Sequence, residues 1–350
     1  MISIYKHGII LQKSKLDFEN AGVLNPAVIV FQNRIHLFYR AVRNGNHSTI
    51  GYCTLDTPLT VSSRREEPIL FPEYEYECQG VEDPRIVRID DLFYLTYTAY
   101  NGINAMGALA TSSDLLSWHK RGIIVPQLPY GEFSHLAESS GPLNVKYMRY
   151  NEYGRHVVDE FGKNWVWDKN VLFFPRRING KLAMLHRIKP DIQIVTDIEK
   201  TDELTPTYWT QYLQHFPKHI VMAPKYAHET SYIGGGCPPI ETKEGWLIIY
   251  HGVCDSVSGF IYSACAALLD LEHPEFEIAR LPYPLFTPEM SWEVNGEVNN
   301  VCFPSGAMVK DNLLYIYYGA ADECIACASI ELNHLLIELK KNLIVSEKSN

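Results

Sequence analysis

The 350-residue sequence has no apolar run near the roughly 18 residues that a membrane-spanning helix requires. Its first residues, MISIYKHGIILQKSKLDF, break their short apolar stretch with charge, so they make neither a convincing secretory leader nor an anchor. A basic balance is also missing. The net charge is -10, which argues against a nucleic-acid or anionic-membrane partner. No G-x-x-x-x-G-K-[ST], G-x-S-x-G or H-E-x-x-H occurs, which removes the commonest nucleotide, serine-hydrolase and zinc-protease signatures. Gly234-Gly235-Gly236 is followed by Cys237-Pro238-Pro239, and Pro-Pro cannot open the helix that a phosphate loop needs. The eight cysteines are scattered through apolar stretches. The single C-x-x-C, Cys324 and Cys327, has no second pair to complete a zinc site, so neither a metal nor a cofactor is expected. Buried thiols suit a reducing compartment and a cytoplasmic location, with a periplasmic one open if a leader is removed.

What the sequence does have is aromatic side chains and repetition. It carries 22 Tyr, 14 Phe and 6 Trp, a bias that favours strands and suits stacking on sugar faces. One pattern recurs five times: an apolar strand, a polar turn, then an aromatic strand ending near a polar residue. It reads AVIVFQNRIHLFYRAV (27–42), RIVRIDDLFYLTYTAY (85–100), NVLFFPRRINGKLAMLHRI (170–188), PPIETKEGWLIIYHGV (238–253) and GAMVKDNLLYIYYGAAD (306–322). Each centre carries a hairpin signal, and each hairpin is followed by a second pair of weaker strand patterns, giving four strands per unit. Five such units, with no strong long helix, predict an all-β, five-bladed β-propeller forming one domain over 1–350. Residues 126–168 form a Tyr-rich insertion between blades two and three, and 331–350 form a tail whose ELNHLLIELKK is the one helical candidate. Tyr130, Tyr147, Tyr150, Tyr153, Trp165 and Trp167 either build a sugar platform or pack the insertion down. An insertion this aromatic also leaves a homo-oligomer open.

A propeller brings the ends of its innermost strands to one axis. The polar residues at those ends are Arg40, the Glu82/Asp83/Arg85 cluster in GVEDPRIV, His186 with Arg187, His251 and Asp322. Their convergence predicts a polar pocket, against the plainer possibility of salt bridges between blades. An acid in the EDPR turn suits glycoside cleavage, in which one carboxyl protonates the leaving oxygen. A hydrolase then needs a second carboxylate to activate water, whereas a phosphorylase needs cations to hold phosphate.

GVEDPRI, KNVLFFPRRINGKLAMLHR, IGGGCPPIETKEGWLIIYHGV and VCFPSGA…LYIYYGAAD resemble glycoside hydrolase family 130, a family of five-bladed propellers acting on β-mannosides. The resemblance runs from about residue 20 to 330. It implies Asp83 as general acid, acting through the mannose 3-hydroxyl, with Asn25 and Arg40 on the sugar and His251 and Asp322 lining the same pocket. Of three basic positions that hold phosphate in the phosphorylases, it implies Lys169 and Arg187, while the third is Tyr232 here. Losing one charged hydrogen bond costs about 1.5–3 kcal/mol. Together with Glu229 in the same segment, that exchange favours an exo-acting, inverting β-1,2-mannosidase with Glu229 as base; Glu241 and Glu272 compete for that role. The alternative is an inverting phosphorylase using inorganic phosphate as co-substrate and releasing mannose 1-phosphate. A non-catalytic carbohydrate-binding propeller is the remaining reading.

Overall fold

The computed structural model describes residues 2–148, 164–257 and 259–344. It is built from five antiparallel meanders. The first comprises β2 (Gly22–Phe31), β3 (Arg34–Arg43), β4 (His47–Thr57) and β5 (Thr60–Arg64), and is preceded by β1 (Tyr5–Leu11). The second comprises β6 (Gly80–Ile89), β7 (Leu92–Tyr100), β8 (Ala105–Ser112) and β9 (His119–Ile123). The third comprises β10 (Asp168–Phe173), β11 (Leu182–Ile188), β12 (Ile192–Ile198) and β13 (Ile220–Met222). In the fourth, β14 (Tyr232–Gly235) and β15 (Ile240–Thr242) both pair with β16 (Gly245–Ser256), followed by β17 (Gly259–Leu269) and β18 (Glu277–Arg280). The fifth comprises β19 (Cys302–Lys310), β20 (Leu313–Ala320) and β21 (Cys324–Glu331), and β1 returns as its outer strand against β21. Single parallel bridges, Ser48 to Gly80 and Met106 to Asp168, join the first three meanders into one twelve-stranded sheet.

Successive side chains of a strand point to opposite faces, and here both faces are covered. On β16, Leu247 and Ile249 pack into the core shared with the fifth meander, while Trp246, Ile248 and Tyr250 pack into the core shared with the third. The same division holds around the molecule. Phe38 and Leu95 lie in the core between meanders one and two, Leu109 and Met184 between two and three, and Tyr39 and Tyr317 between one and five. This explains the near-continuous apolar runs where a half-exposed sheet would alternate. It also disposes of the C-x-x-C, because Cys324 packs into the core between meanders four and five and Cys327 into the core between five and one.

A buried polar contact recurs on this frame. Short helical turns at 17–19, 75–77, 227–229 and 291–294 each carry a fully buried glutamate: Glu19, Glu77, Glu229 and Glu293. Each accepts a hydrogen bond from the tyrosine hydroxyl of its meander's hairpin: Tyr39 (2.8 Å), Tyr97 (2.9 Å), Tyr250 and Tyr318 (2.7 Å). Each also pairs with a cation, namely Arg64 (2.8 Å), Lys120, Arg280 (3.2 Å) and Lys6 (2.7 Å). A buried charge is tolerated only when paired and hydrogen-bonded in this way. His186 occupies the tyrosine position of the third meander and bonds Asp168 (2.7 Å) and the Tyr212 hydroxyl (2.8 Å) instead.

Among the described residues the longer helices are α1 (Tyr130–Ala137), α2 (Pro206–Gln214) and α3 (Leu332–Lys340). Only α3 falls where the sequence suggests a helix. The start of α2 is set by Thr205, whose hydroxyl accepts the Tyr208 N–H, with Pro206 at the first helical position. The two helices pack together through Phe133, Tyr212 and Leu213 in the core beside meanders two and three.

Replacing Glu77 with alanine takes the fully buried carboxylate from the Lys120 ammonium and leaves it only the half-exposed Glu73, at 3.1 Å. We expect Glu77→Ala to destabilise the protein by about 1.5–3 kcal/mol in denaturant unfolding, while Tyr97→Phe costs only about 1 kcal/mol. Equal small effects from both would show that the buried pair contributes little.

Candidate active site

The first strand of each of the first three meanders is interrupted by a bulge. The ladder register slips between Leu24 and Ala27, between Glu82 and Arg85, and between Lys169 and Leu172. Each slip holds one residue in the left-handed region: Asn25 (φ 49°), Asp83 (φ 49°) and Asn170 (φ 57°). Asn and Asp tolerate that region better than other side-chain-bearing residues, and bulges re-aim side chains at functional sites. All three residues line one cavity of about 270 Å³.

Arg40, Lys169, Arg187, Tyr232 and Asp322 line the same cavity, so seven of the residues singled out in the sequence meet there. Asp83 accepts a 2.6 Å hydrogen bond from Asn25 Nδ2 and lies 3.8 Å from Arg40 Nη1. Burial disfavours its charge, but Arg40, then Lys169 and Arg85, with the Asn25 bond, outweigh it and hold the carboxyl below its usual range. Asp322 behaves oppositely. Burial pushes it up to about 6, with the Asp83 and Glu82 carboxylates adding to that and Arg40 and Lys169 opposing it.

Four other selected residues stand behind the wall instead of in it. Glu82 bonds Arg40 Nη2 at 2.8 Å and sets that guanidinium's direction. Arg85 donates to the Asp83 and Pro84 carbonyls (3.1 and 3.0 Å) and to Gly236 O, so it braces the bend that carries the acid. His251, expected in the pocket, is buried against the Phe303 ring with Nε2 3.4 Å from Arg187 Nη1. Burial, reinforced by Arg187, Arg85, Lys189 and Lys169, takes its imidazole well below its ordinary value and keeps it neutral. His186 points away from the cavity because it alternates with Arg187 along β11.

Glu229 requires a larger correction. It is one of the four buried structural glutamates, saturated by the Lys225 and Tyr226 N–H groups (2.7 and 3.1 Å), the Tyr250 hydroxyl and Arg280, and it does not line the cavity. Glu241 and Glu272 also lie elsewhere, both on Arg176 (3.0 and 3.3 Å). The position of Tyr232 has a different meaning from the one its sequence suggests. Its ring faces two cations, with the Lys189 ammonium 3.8 Å and the Arg187 guanidinium 5.4 Å from its centroid. Lys189 was not singled out; it stands in the turn just beyond β11, two residues after Arg187, and lines the same cavity. Burial, then Arg187 and Lys169, lower its ammonium well below the usual lysine value. Trp167, Tyr262 and Phe303 supply aromatic wall, whereas Tyr130 and Tyr147 are buried within the insertion. Tyr150 and Tyr153 lie outside the described residues.

Four cations, two carboxylates and an aromatic wall at bulged strand ends define a cleft for a hydroxyl-rich ligand together with an anion. The chain belongs to glycoside hydrolase family 130: the family model described as beta-1,4-mannooligosaccharide phosphorylase matches residues 6–341. It is 33% identical over 336 residues to the 1,2-beta-oligomannan phosphorylase of Thermoanaerobacter sp. (strain X514), covering 93% of this chain and 96% of that one. A beta-1,2-mannobiose phosphorylase of the same strain is 32% identical, covering 90% and 92%. The fold matches that of the Listeria innocua beta-1,2-mannobiose phosphorylase solved with beta-1,2-mannobiose, with a TM-score of 0.71 and 22% identity over 97% of this chain and all of that one.

Because the carboxyl of Asp322 lies at about 6 in the folded chain against an ordinary 3.8, its ionisation opposes folding. The penalty is absent below the unfolded value and develops as pH rises through about 6, reaching roughly 3 kcal/mol. Asp322→Asn should therefore raise the unfolding midpoint at pH 8 and leave it unchanged at pH 4. A stabilisation of the same size at both pH values would contradict this electrostatic origin.

Proposed function

We propose that this protein is an inverting β-mannoside phosphorylase that cleaves β-1,2-linked mannooligosaccharides with inorganic phosphate and releases α-mannose 1-phosphate. The observation that carries the reading is the trio Lys169, Arg187 and Lys189, set on β10, β11 and the turn after β11 at one side of the cleft. Lys189 supplies the third cation that Tyr232 lacks, and no carboxylate beyond Asp83 and Asp322 lines the cavity among the described residues. The expectation of a hydrolase rested on a missing lysine and on Glu229, and neither support remains. The similarity to β-1,2-mannoside phosphorylases over nearly the whole chain favours the same choice.

In this reading a phosphate oxygen attacks the mannosyl C1 from the face opposite the leaving group. The C1–O bond breaks, and the leaving oxygen takes a proton that originates on Asp83. An acid held ionised by cations must first gain that proton. Phosphate on Lys169, Arg187 and Lys189 offsets part of the positive field on Asp83, raising its proton affinity when the nucleophile is in place. In the reverse direction the ionised carboxylate takes the proton back. Asn25 and Arg40 hold Asp83 and reach the sugar beside it, while Asp322 is placed for a sugar hydroxyl. Phosphate is the one co-substrate this chemistry requires. We further read the five meanders as blades of a single propeller, a reading supported by the cyclic succession of their five cores.

Product analysis with β-1,2-mannobiose tests the reaction. Mannose 1-phosphate should form only when phosphate is present, and free mannose at equal rates with and without phosphate would overturn the reading. Asp83→Asn should lower kcat by about 10²–10⁴-fold with the fold intact. Lys189→Ala should raise the KM for phosphate at least about ten-fold, the equivalent of one charged hydrogen bond. An unchanged phosphate KM would remove Lys189 from the site.

A further inference from the structure

Lys189 lies at the start of a tight turn between β11 and β12, and that turn is fastened by side chains with no place in the cleft. Gln193 spans it from within: its Oε1 accepts the Ile188 N–H (2.7 Å) and its Nε2 donates to the Ile188 carbonyl (3.0 Å). The Pro190 carbonyl accepts the Ile233 N–H at 3.0 Å, tying the turn to the strand that carries Tyr232. The remaining fastening comes from the insertion. The Tyr147 hydroxyl donates to Asp191 Oδ2 in the turn and accepts from Nε2 (3.3 Å) of Gln193, the β12 residue that spans the turn. Tyr147 is 1% exposed, and its ring is held edge-on by Phe216 at 5.2 Å and tilted against Phe133 at 5.9 Å. A buried hydroxyl on an immobilised ring is a fixed point, and the turn is bonded to it.

We propose that Tyr147 is a positioning residue for the phosphate site, holding the turn that aims Lys189 into the cleft through Asp191 and Gln193. The inference rests on the phosphorylase reading. It gives the insertion a role in binding the nucleophile, separate from any contact with sugar. Burial pushes the Asp191 carboxyl up to about 6, so retaining an acid at this point costs stability, as expected of a group kept for position.

The test measures initial rates of phosphorolysis with each substrate varied in turn. Tyr147→Phe deletes the hydroxyl and should raise the KM for phosphate about three- to ten-fold, the worth of an ordinary buried hydrogen bond, while the KM for β-1,2-mannobiose stays near wild type. Asp191→Ala should reproduce that shift, and Asp191→Asn, which keeps an acceptor for the hydroxyl, should restore most of the affinity. In a Lys189→Ala background the Tyr147 substitution should add nothing. Equal changes in both KM values, an unaltered phosphate KM, or an undiminished effect without Lys189 would each overturn the proposal. Wild-type rates that do not depend on phosphate would instead overturn the phosphorylase reading, and this inference with it.

Discussion

The buried glutamate that accepts a tyrosine hydroxyl and pairs with a cation is the interaction on which the rest of this architecture depends. A meander with apolar cores on both faces has no sequence alternation to fix its position, so apolar burial alone leaves it free to slide. Four meanders are fixed by one polar triad each, in which a helical turn, the central hairpin and a further strand meet at a desolvated carboxylate. Such contacts are a poor source of net stability but a good source of register, because every misaligned arrangement strands a charge in a dry interior.

With the meanders fixed, their bulged first strands can hold side chains in unfavourable company. Arg40, Lys169, Arg187 and Lys189 crowd a small space, and the proton affinities of Lys169, Lys189 and His251 are lowered first by burial and then by repulsion from the neighbouring cations. Asp83 and Tyr232 relieve it only in part. The cleft is thus prepared for an anion before one arrives, and the cost of that preparation is carried by the surrounding fold. Tyr232 illustrates how such a site tolerates change: a ring cannot replace an ammonium as a phosphate donor, but it can serve as the face on which a neighbouring ammonium rests.

Much of this was legible in the sequence, because repetition survives where individual spacings do not. The five hairpins and the aromatic strands could be read, whereas EDPR, read as a turn, is a bulge inside β6. Of the strand-end residues, Arg40, Asp83, Arg187 and Asp322 meet in the cavity while Glu82, Arg85, His186 and His251 stand behind it. What was misread shares one cause, that a residue's neighbours across the sheet are not its neighbours in sequence. Glu229 looked catalytic in isolation. Set beside Glu19, Glu77 and Glu293, which precede their hairpin tyrosines by 20, 20 and 25 residues, it becomes structural. His186 and Arg187 were taken together although adjacent strand residues face opposite ways. Lys189 was passed over because it stands in the turn just beyond β11, where strand alternation no longer fixes a side chain's direction. Helix α1 has no side-chain cap to announce it, the Thr205-Pro206 start of α2 was passed over beside the strand pattern, and their pairing is decided by packing on meanders two and three.

The return of β1 to the outer edge of the fifth meander has a consequence for how the chain is made. Residues Tyr5–Leu11 pair with Cys324–Glu331, and Lys6 reaches Glu293 across 287 positions of sequence. On a ribosome adding about 5–20 residues per second, the strand made first waits roughly 15–60 s for its partner. For that interval the unpaired edge of β1 and the faces of Val28 and Leu37 that will meet Met308 and Tyr317 stay uncovered. Contacts this distant in sequence also make final closure slow. The nascent protein is therefore vulnerable to aggregation at β1 until β21 is made, and substitutions that make β1 more apolar should harm its yield in cells well before they harm the finished molecule.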